Sequence, residues 1–202
     1  MQPSLLGLLV VGGYGAETSA EVWAPPPEEI HCNLPSLPSN MWDGLTADTV
    51  EGRVLACYND SCLELTGSGW EARSSTLHNR SFHTSAVTSE GLLLLGGLDS
   101  PLTTELLPAD GGPSRESFPL QPGRQDHCSI QVSADTIVLT GGLYTESLVT
   151  ELSGLETGGE VTSRELPSLL HPRYIHVCGA YTVDNAKVGR LHILTIPLCR
   201  CF

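Results

Sequence analysis

Leu92-Leu93-Leu94-Leu95-Gly96-Gly97 is the stretch from which the rest of the chain is read. A strand with one wet face alternates apolar and polar residues; four leucines in a row predict a strand covered on both faces. Two glycines at its end permit positive φ and let a neighbouring backbone come close. The pattern recurs as Leu8-Leu9-Val10-Val11-Gly12-Gly13 and as Thr136-Ile137-Val138-Leu139-Thr140-Gly141-Gly142. Arg53-Val54-Leu55-Ala56-Cys57 repeats the apolar run with Ala-Cys in place of the glycines. Counted from Gly12, Ala56, Gly96 and Gly141, the steps are 44, 40 and 45 residues. A second marker keeps the same beat: Arg80-x-x-His83, Arg124-x-x-His127 and Arg173-x-x-His176 stand 44 and 49 residues apart.

Each unit reads as four short strands. An alternating strand follows Arg-x-x-His, as in His127 to Val132, and the apolar strand with its glycine pair comes next. The third strand carries Ala20-Glu21-Val22, Thr104-Glu105-Leu106 or Thr150-Glu151-Leu152. The fourth is polar: Gly69 to Ala72, Glu116 to Phe118, Ser163 to Leu166. Turn residues such as Asp110-Gly111-Gly112-Pro113 separate them, and no segment keeps a helical period for three turns. Four-stranded units at this period predict an all-β chain of propeller blades, an architecture that leaves only short sheet edges. The units fall at about 5–38, 39–77, 78–121 and 122–170, with a fifth beginning over 171–188 and a divergent tail over 189–202.

Over about 5–188 the chain resembles the kelch family. The likeness is carried by the three glycine pairs, by Trp70 as the fourth-strand aromatic, and by the Arg-x-x-His markers. The chain departs from the family where Ala56-Cys57 replaces a glycine pair and where Leu or Val replaces the usual Tyr between the pair and the Trp. The resemblance implies part of a six- or seven-bladed ring. About four units would then leave raw edges, at which self-association is expected.

Composition narrows the partners. Ten Lys and Arg stand against 23 Asp and Glu, a net charge of −13, and Lys187 is the only lysine. Neither nucleic acid nor an anionic membrane is an expected partner, because both need clustered cations. No apolar run reaches the ~20 residues of a membrane span. Leu5 to Val11 reads as a strand and not a leader peptide, because Met1 to Ser4 carries no positive side chain.

Little in the chain reads as catalytic. Gly13-Tyr14-Gly15 is half of a dinucleotide fingerprint, but Pro25-Pro26-Pro27 stands where its helix would begin. Three of the seven histidines belong to the periodic marker. The His171, His176 and Cys178 group lacks a matching second pair for zinc. No Gly-x-Ser-x-Gly is present. The expectation is a non-enzymatic chain without cofactor or metal that binds another protein. The loops after the second strands would do this, carrying Tyr14, Tyr58, Asp99 and Tyr144. The alternatives are an extracellular carbohydrate-binding or galactose-oxidase-like propeller, and the recruiting propeller of a BTB-kelch ubiquitin-ligase adaptor.

Cys57 and Cys62 flank Tyr58-Asn59-Asp60-Ser61, a four-residue connection that brings its flanking residues within disulfide reach. A Cys57–Cys62 disulfide is therefore expected, which favours an extracellular setting over the cytoplasm. Asn59-Asp60-Ser61 and Asn79-Arg80-Ser81 are glycosylation acceptors in that setting.

Overall fold

The computed structural model describes residues 8–11, 16, 18–23, 31–41, 44–156, 160–181 and 192–197. These residues form strands and turns, with no helix among them. Among the described residues five antiparallel sheets follow one another in chain order. The first holds β1 (Leu8–Val11), β2 (Ala20–Trp23) and β3 (His31–Asn33). The second holds β4 (Thr46–Val50), β5 (Arg53–Thr66) and β6 (Gly69–Arg80). The third runs β7 (Thr84–Thr88), β8 (Gly91–Leu95), β9 (Thr103–Pro108) and β10 (Arg115–Pro119). The fourth runs β11 (Cys128–Ser133), β12 (Thr136–Thr140), β13 (Val149–Ser153) and β14 (Thr162–Leu166). β15 (His176–Tyr181) and β16 (His192–Pro197) make the fifth.

The sheets meet through their first strands: β4 lies against β7, β7 against β11, and β11 against β15. Stacking explains the unbroken leucines. Leu92 and Leu94 pack with Val50, Leu55 and Leu107, on the side of the second sheet. Leu93 and Leu95 point the other way, into a cluster with Ile137 and Leu139 of the fourth. All five residues of β8 are buried. Burying a leucine completely stabilises the fold by roughly 1.5–3 kcal/mol, so this strand holds two interfaces together. A third cluster, Leu37, Met41 and Leu63 with Trp70 and Tyr58, joins the first sheet's trailing segment to the second sheet. The Trp70 indole N–H donates to the Pro35 carbonyl at 2.8 Å.

Four readings change. β5 is one continuous strand element where two strands and a loop were expected. The Cα atoms of Cys57 and Cys62 are nevertheless 4.1 Å apart. Five extended residues would span roughly 16 Å, so the chain doubles back between them. β6 is longer than its expected core of Gly69 to Ala72, and it crosses the boundary drawn at 77/78 to end at Arg80.

The third change concerns the Thr-Glu-Leu marker, which is out of phase between units. Leu95 and Thr140 each precede a glycine pair, and their partners are Thr104 and Val149. Glu105 therefore corresponds to Thr150, not to Glu151. A one-residue offset turns a side chain to the other face of a strand: Glu105 is fully buried, whereas Glu151 is partly exposed. Finally, the stretch from 189 on, read as a departure from the repeat, supplies β16, which pairs with β15 from His176↔Pro197 to Tyr181↔His192.

Candidate functional site at one end of the sheets

The two periodic markers meet at one end. Arg80 is fully buried. Its Nε donates to Glu105 Oε2 (3.1 Å), its Nη1 to the carbonyls of Gly96 (2.9 Å) and Thr103 (3.2 Å), and its Nη2 to Thr103 Oγ1 (2.8 Å). The other Glu105 oxygen accepts from the Leu77 N–H at 2.6 Å. Arg124 repeats the arrangement one unit on, donating to the carbonyls of Gly141 (2.7 Å) and Leu148 (3.2 Å) and to Thr150 Oγ1 (2.6 Å). Among the described residues its Nε has no partner, and burial lowers its pKa to about 10, against the pull of the Glu165 carboxylate.

The glycines receive the next unit's arginine backbone. Gly97 N–H donates to the Arg124 carbonyl at 2.9 Å, and Gly142 N–H to the Arg173 carbonyl at 3.0 Å. A Cβ on Gly96 would stand 2.2 Å from the Arg124 oxygen, and one on Gly141 2.4 Å from that of Arg173. Both positions also have positive φ (63° and 58°), so a side chain is excluded by contact and by conformation. Arg124 thus ties its own unit's loop by its side chain and the preceding unit's loop by its carbonyl, while Arg80 ties its own unit's loop by its side chain. Arg173 supplies the carbonyl, while its side chain is only partly buried.

The histidines bind backwards. His83 Nδ1 contacts the Arg80 carbonyl, which can only accept, so Nδ1 carries the proton. Nε2 then accepts from Thr46 Oγ1 at 2.9 Å. His127 Nε2 lies 2.8 Å from Thr84 Oγ1 of the preceding sheet. Burial lowers the His83 pKa to about 4 and, with the charges of Arg124, His83 and His176 adding to burial, that of His127 to about 3. At the next junction Cys128 stands where Thr84 stood, since Thr84 pairs with Leu95 and Cys128 with Thr140. Cys128 is joined to Cys178, with their Cα atoms 6.0 Å apart, and His176 turns to Thr140 Oγ1 at 2.9 Å. Burial lowers the His176 pKa as well.

These ties hold a rim. The connections after second strands and the connections between units emerge at the same end. Leu98 N–H donates to the Ser81 carbonyl (2.7 Å), Leu120 N–H to that of Leu102 (2.8 Å), and Leu169 N–H to that of Ser147 (2.8 Å). Eight large hydrophobic residues are exposed among the described residues. Seven of them, Leu77, Leu98, Leu102, Tyr144, Leu170, Tyr174 and Ile175, lie at this end, and only Val132 lies at the other. Tyr144 is 86% exposed and Leu170 95%. An open depression of about 470 Å³ runs beside Tyr144, lined by Pro122, Thr145, Glu146, Leu148 and Ser168 among others.

Of the residues the sequence singled out, Tyr144 and Asp99 are exposed on the rim. Tyr58 is half-buried against the Leu37–Met41–Leu63 cluster and serves packing. Tyr14, Gly12 and Gly13 lie outside the described residues. Asn59 has φ 52° and its Oδ1 accepts from Ser81 Oγ at 2.6 Å, whereas Asn79 is exposed. Cys57 and Cys62 sit at disulfide distance. The sequence reading missed Leu77, Leu102, Leu170, Tyr174 and Ile175. The signal was available: an antiparallel unit of four strands returns each inter-unit connection to the end where its second strand finishes. No group of three His, Cys, Asp or Glu among the described residues is placed to hold a metal ion.

No protein-family model matches the chain, and no curated protein does. Solved structures do match. One of them, the structure of YjhT, superposes with a TM-score of 0.70 at 11% identity, covering 81% of this chain and 62% of that one. This chain therefore spans less than two thirds of YjhT, and the likeness is one of fold.

Proposed function

We propose that the chain is a kelch-type β-propeller segment that binds another protein through the rim formed by its loops, without catalysis. The repeat in the sequence, the stack of sheets meeting through their first strands, and the fold likeness to YjhT all support the architecture. The observation that carries the binding role is the placement of exposed apolar residues: among the described residues seven of eight lie at one end, where Tyr144 lines an open depression. Apolar residues scattered singly mean little, but a collected patch marks an interaction surface. The scaffold suits the role, because the loops at Gly96–Gly97 and Gly141–Gly142 are each tied by a buried arginine and by the next unit's backbone. Loops held in one conformation lose little entropy on binding.

A photo-crosslinking residue in place of Tyr144, and separately in place of Val132, tests this in native cell extract. Position 144 is expected to give a discrete heavier protein adduct and position 132 none. Equal labelling from both positions, or none from either, overturns the reading.

A further inference from the structure

We infer that the partner presents a cationic segment, with Lys or Arg interleaved among aliphatic or aromatic anchors, to the depression beside Tyr144. This deepens the rim-binding reading and rests on it. The apolar half lies in the two most exposed large hydrophobics: Tyr144 lines the depression with Pro122 and Leu148, and Leu170 follows Leu169, whose N–H donates to the carbonyl of Ser147 in the same lining. Tyr144 has φ 66° and is followed by Thr145, whose Oγ1 donates to the Gly141 carbonyl at 2.9 Å. The ring is thus presented from a braced turn.

The charged half lies in the carboxylates. On the sheets, acids pair with cations, Glu64 with Arg73 at 3.2 Å and Glu151 with Arg164 at 2.9 Å, and in the turn between β7 and β8 Glu90 pairs with Arg115. At the opposite end, Asp110, Asp135 and Glu156 accept from backbone N–H groups. On the rim, neither Glu146 nor Asp99 has a salt bridge or a side-chain hydrogen bond within the described residues, and Asp60 accepts only from Ser61 Oγ. Arg80 and Arg124 are buried among carbonyls, which among the described residues leaves Arg173 against Asp60, Asp99 and Glu146. An apolar patch with the Glu146 carboxylate in the lining of its depression, and those of Asp60 and Asp99 on the same rim, favours a partner with the opposite charge and rejects an acidic one.

Selection from a displayed random-peptide library on the immobilised full chain tests this. Enriched sequences are expected to carry Lys or Arg beside Leu, Ile or aromatic residues. Their binding should weaken with salt and fall about tenfold or more in D99N/E146Q. It should also be lost in Tyr144→Ser/Leu170→Ser. If the enriched peptides need Tyr144 and Leu170 but are uncharged or acidic, or ignore D99N/E146Q, the cationic partner is wrong while the rim reading stands. If no enriched peptide depends on Tyr144 or Leu170, both fail. Circular dichroism on each variant separates lost binding from lost folding.

Discussion

In the third sheet the buried guanidinium of Arg80 meets Glu105; in the fourth, Arg124 occupies the matching junction and meets Thr150. The loop carbonyls are bonded alike, through Gly96 and Gly141. The difference arises from one residue of phase in the third strand, which sends Glu151 to the outer face, where it pairs with Arg164. The arginine's recurring task is to satisfy loop carbonyls, and the carboxylate is an addition the fourth unit manages without. Breaking the better-compensated junction should therefore cost more. Glu105→Ala leaves Arg80 charged and buried without a counterion and frees the Leu77 N–H, so a loss of about 3–5 kcal/mol is expected. Thr150→Ala should cost about 1 kcal/mol, the worth of one hydrogen bond. Denaturant melts of the two variants check this, and equal losses would mean that the ion pair adds nothing beyond the hydroxyl.

A second contrast is between the two cysteine pairs. Cys128–Cys178 joins the fourth and fifth sheets across a separation of 50 residues, whereas Cys57–Cys62 closes 5 within one sheet. By the chain-entropy estimate the long closure contributes about 4 kcal/mol and the short one about 2. Cys178→Ser should lower the unfolding midpoint more than Cys62→Ser in unreduced protein. Peptide mapping without reduction reports whether each bond is formed. Four freely alkylated cysteines would remove both bonds and the compartment argument built on the first.

Acid should act on the two junctions unequally. The unfolded histidines bind protons below pH ~6.5, while burial keeps His83 neutral to about 4 and His127 to about 3. The folded state thus holds fewer protons in that window, and stability falls as pH drops from ~6.5 toward those values. For His83 the full loss is about 3 kcal/mol, at 1.36 kcal/mol per unit. Asp48 opposes the trend, because burial raises its pKa even as its bond from Ser85 lowers it. His127→Asn should flatten the stability–pH curve more than His83→Asn. His127 has the Arg124 charge beside it, to which no carboxylate is hydrogen-bonded among the described residues, and His83 has Arg80 bonded to Glu105. Identical curves would show that the two sites feel the same field.

How far the sequence carried these arguments depends on the kind of signal. Leu92 to Leu95 announced a doubly covered strand because composition alone excludes a wet face, and the two clusters divide those leucines alternately. Arg80 and His83 were legible as markers through spacing, yet their partners were not. Glu105 and Thr150 differ by a register that only pairing reveals. Cys178 could not be assigned from spacing, because its partner is fixed by how adjacent sheets lie side by side. The rim was half legible. Tyr144 and Asp99 stood in named loops, but Leu170 and Tyr174 sit between units, where polar neighbours and the marker itself drew the reading elsewhere.

The smallest effect would sharpen the comparison most. Thr150→Glu places a carboxylate where Glu105 stands in the third sheet and offers the unpartnered Arg124 Nε an acceptor. Glu165 lies directly across from position 150, as Glu116 lies across from Glu105. In the third sheet Glu116 has His78 within 3.1 Å; in the fourth, Glu165 would face the new carboxylate at close range. Like charges directly opposite destabilise a strand pair. Thr150→Glu alone should therefore change stability by less than about 0.5 kcal/mol, while Thr150→Glu with Glu165→Gln should gain about 1 kcal/mol. A double-mutant cycle with Arg124→Met isolates the new pair and is expected to show coupling of roughly 1–2 kcal/mol. If the doubly substituted chain gains nothing and the cycle shows no coupling, the buried Nε does not lack an acceptor, and the two junctions differ in geometry as well as in charge.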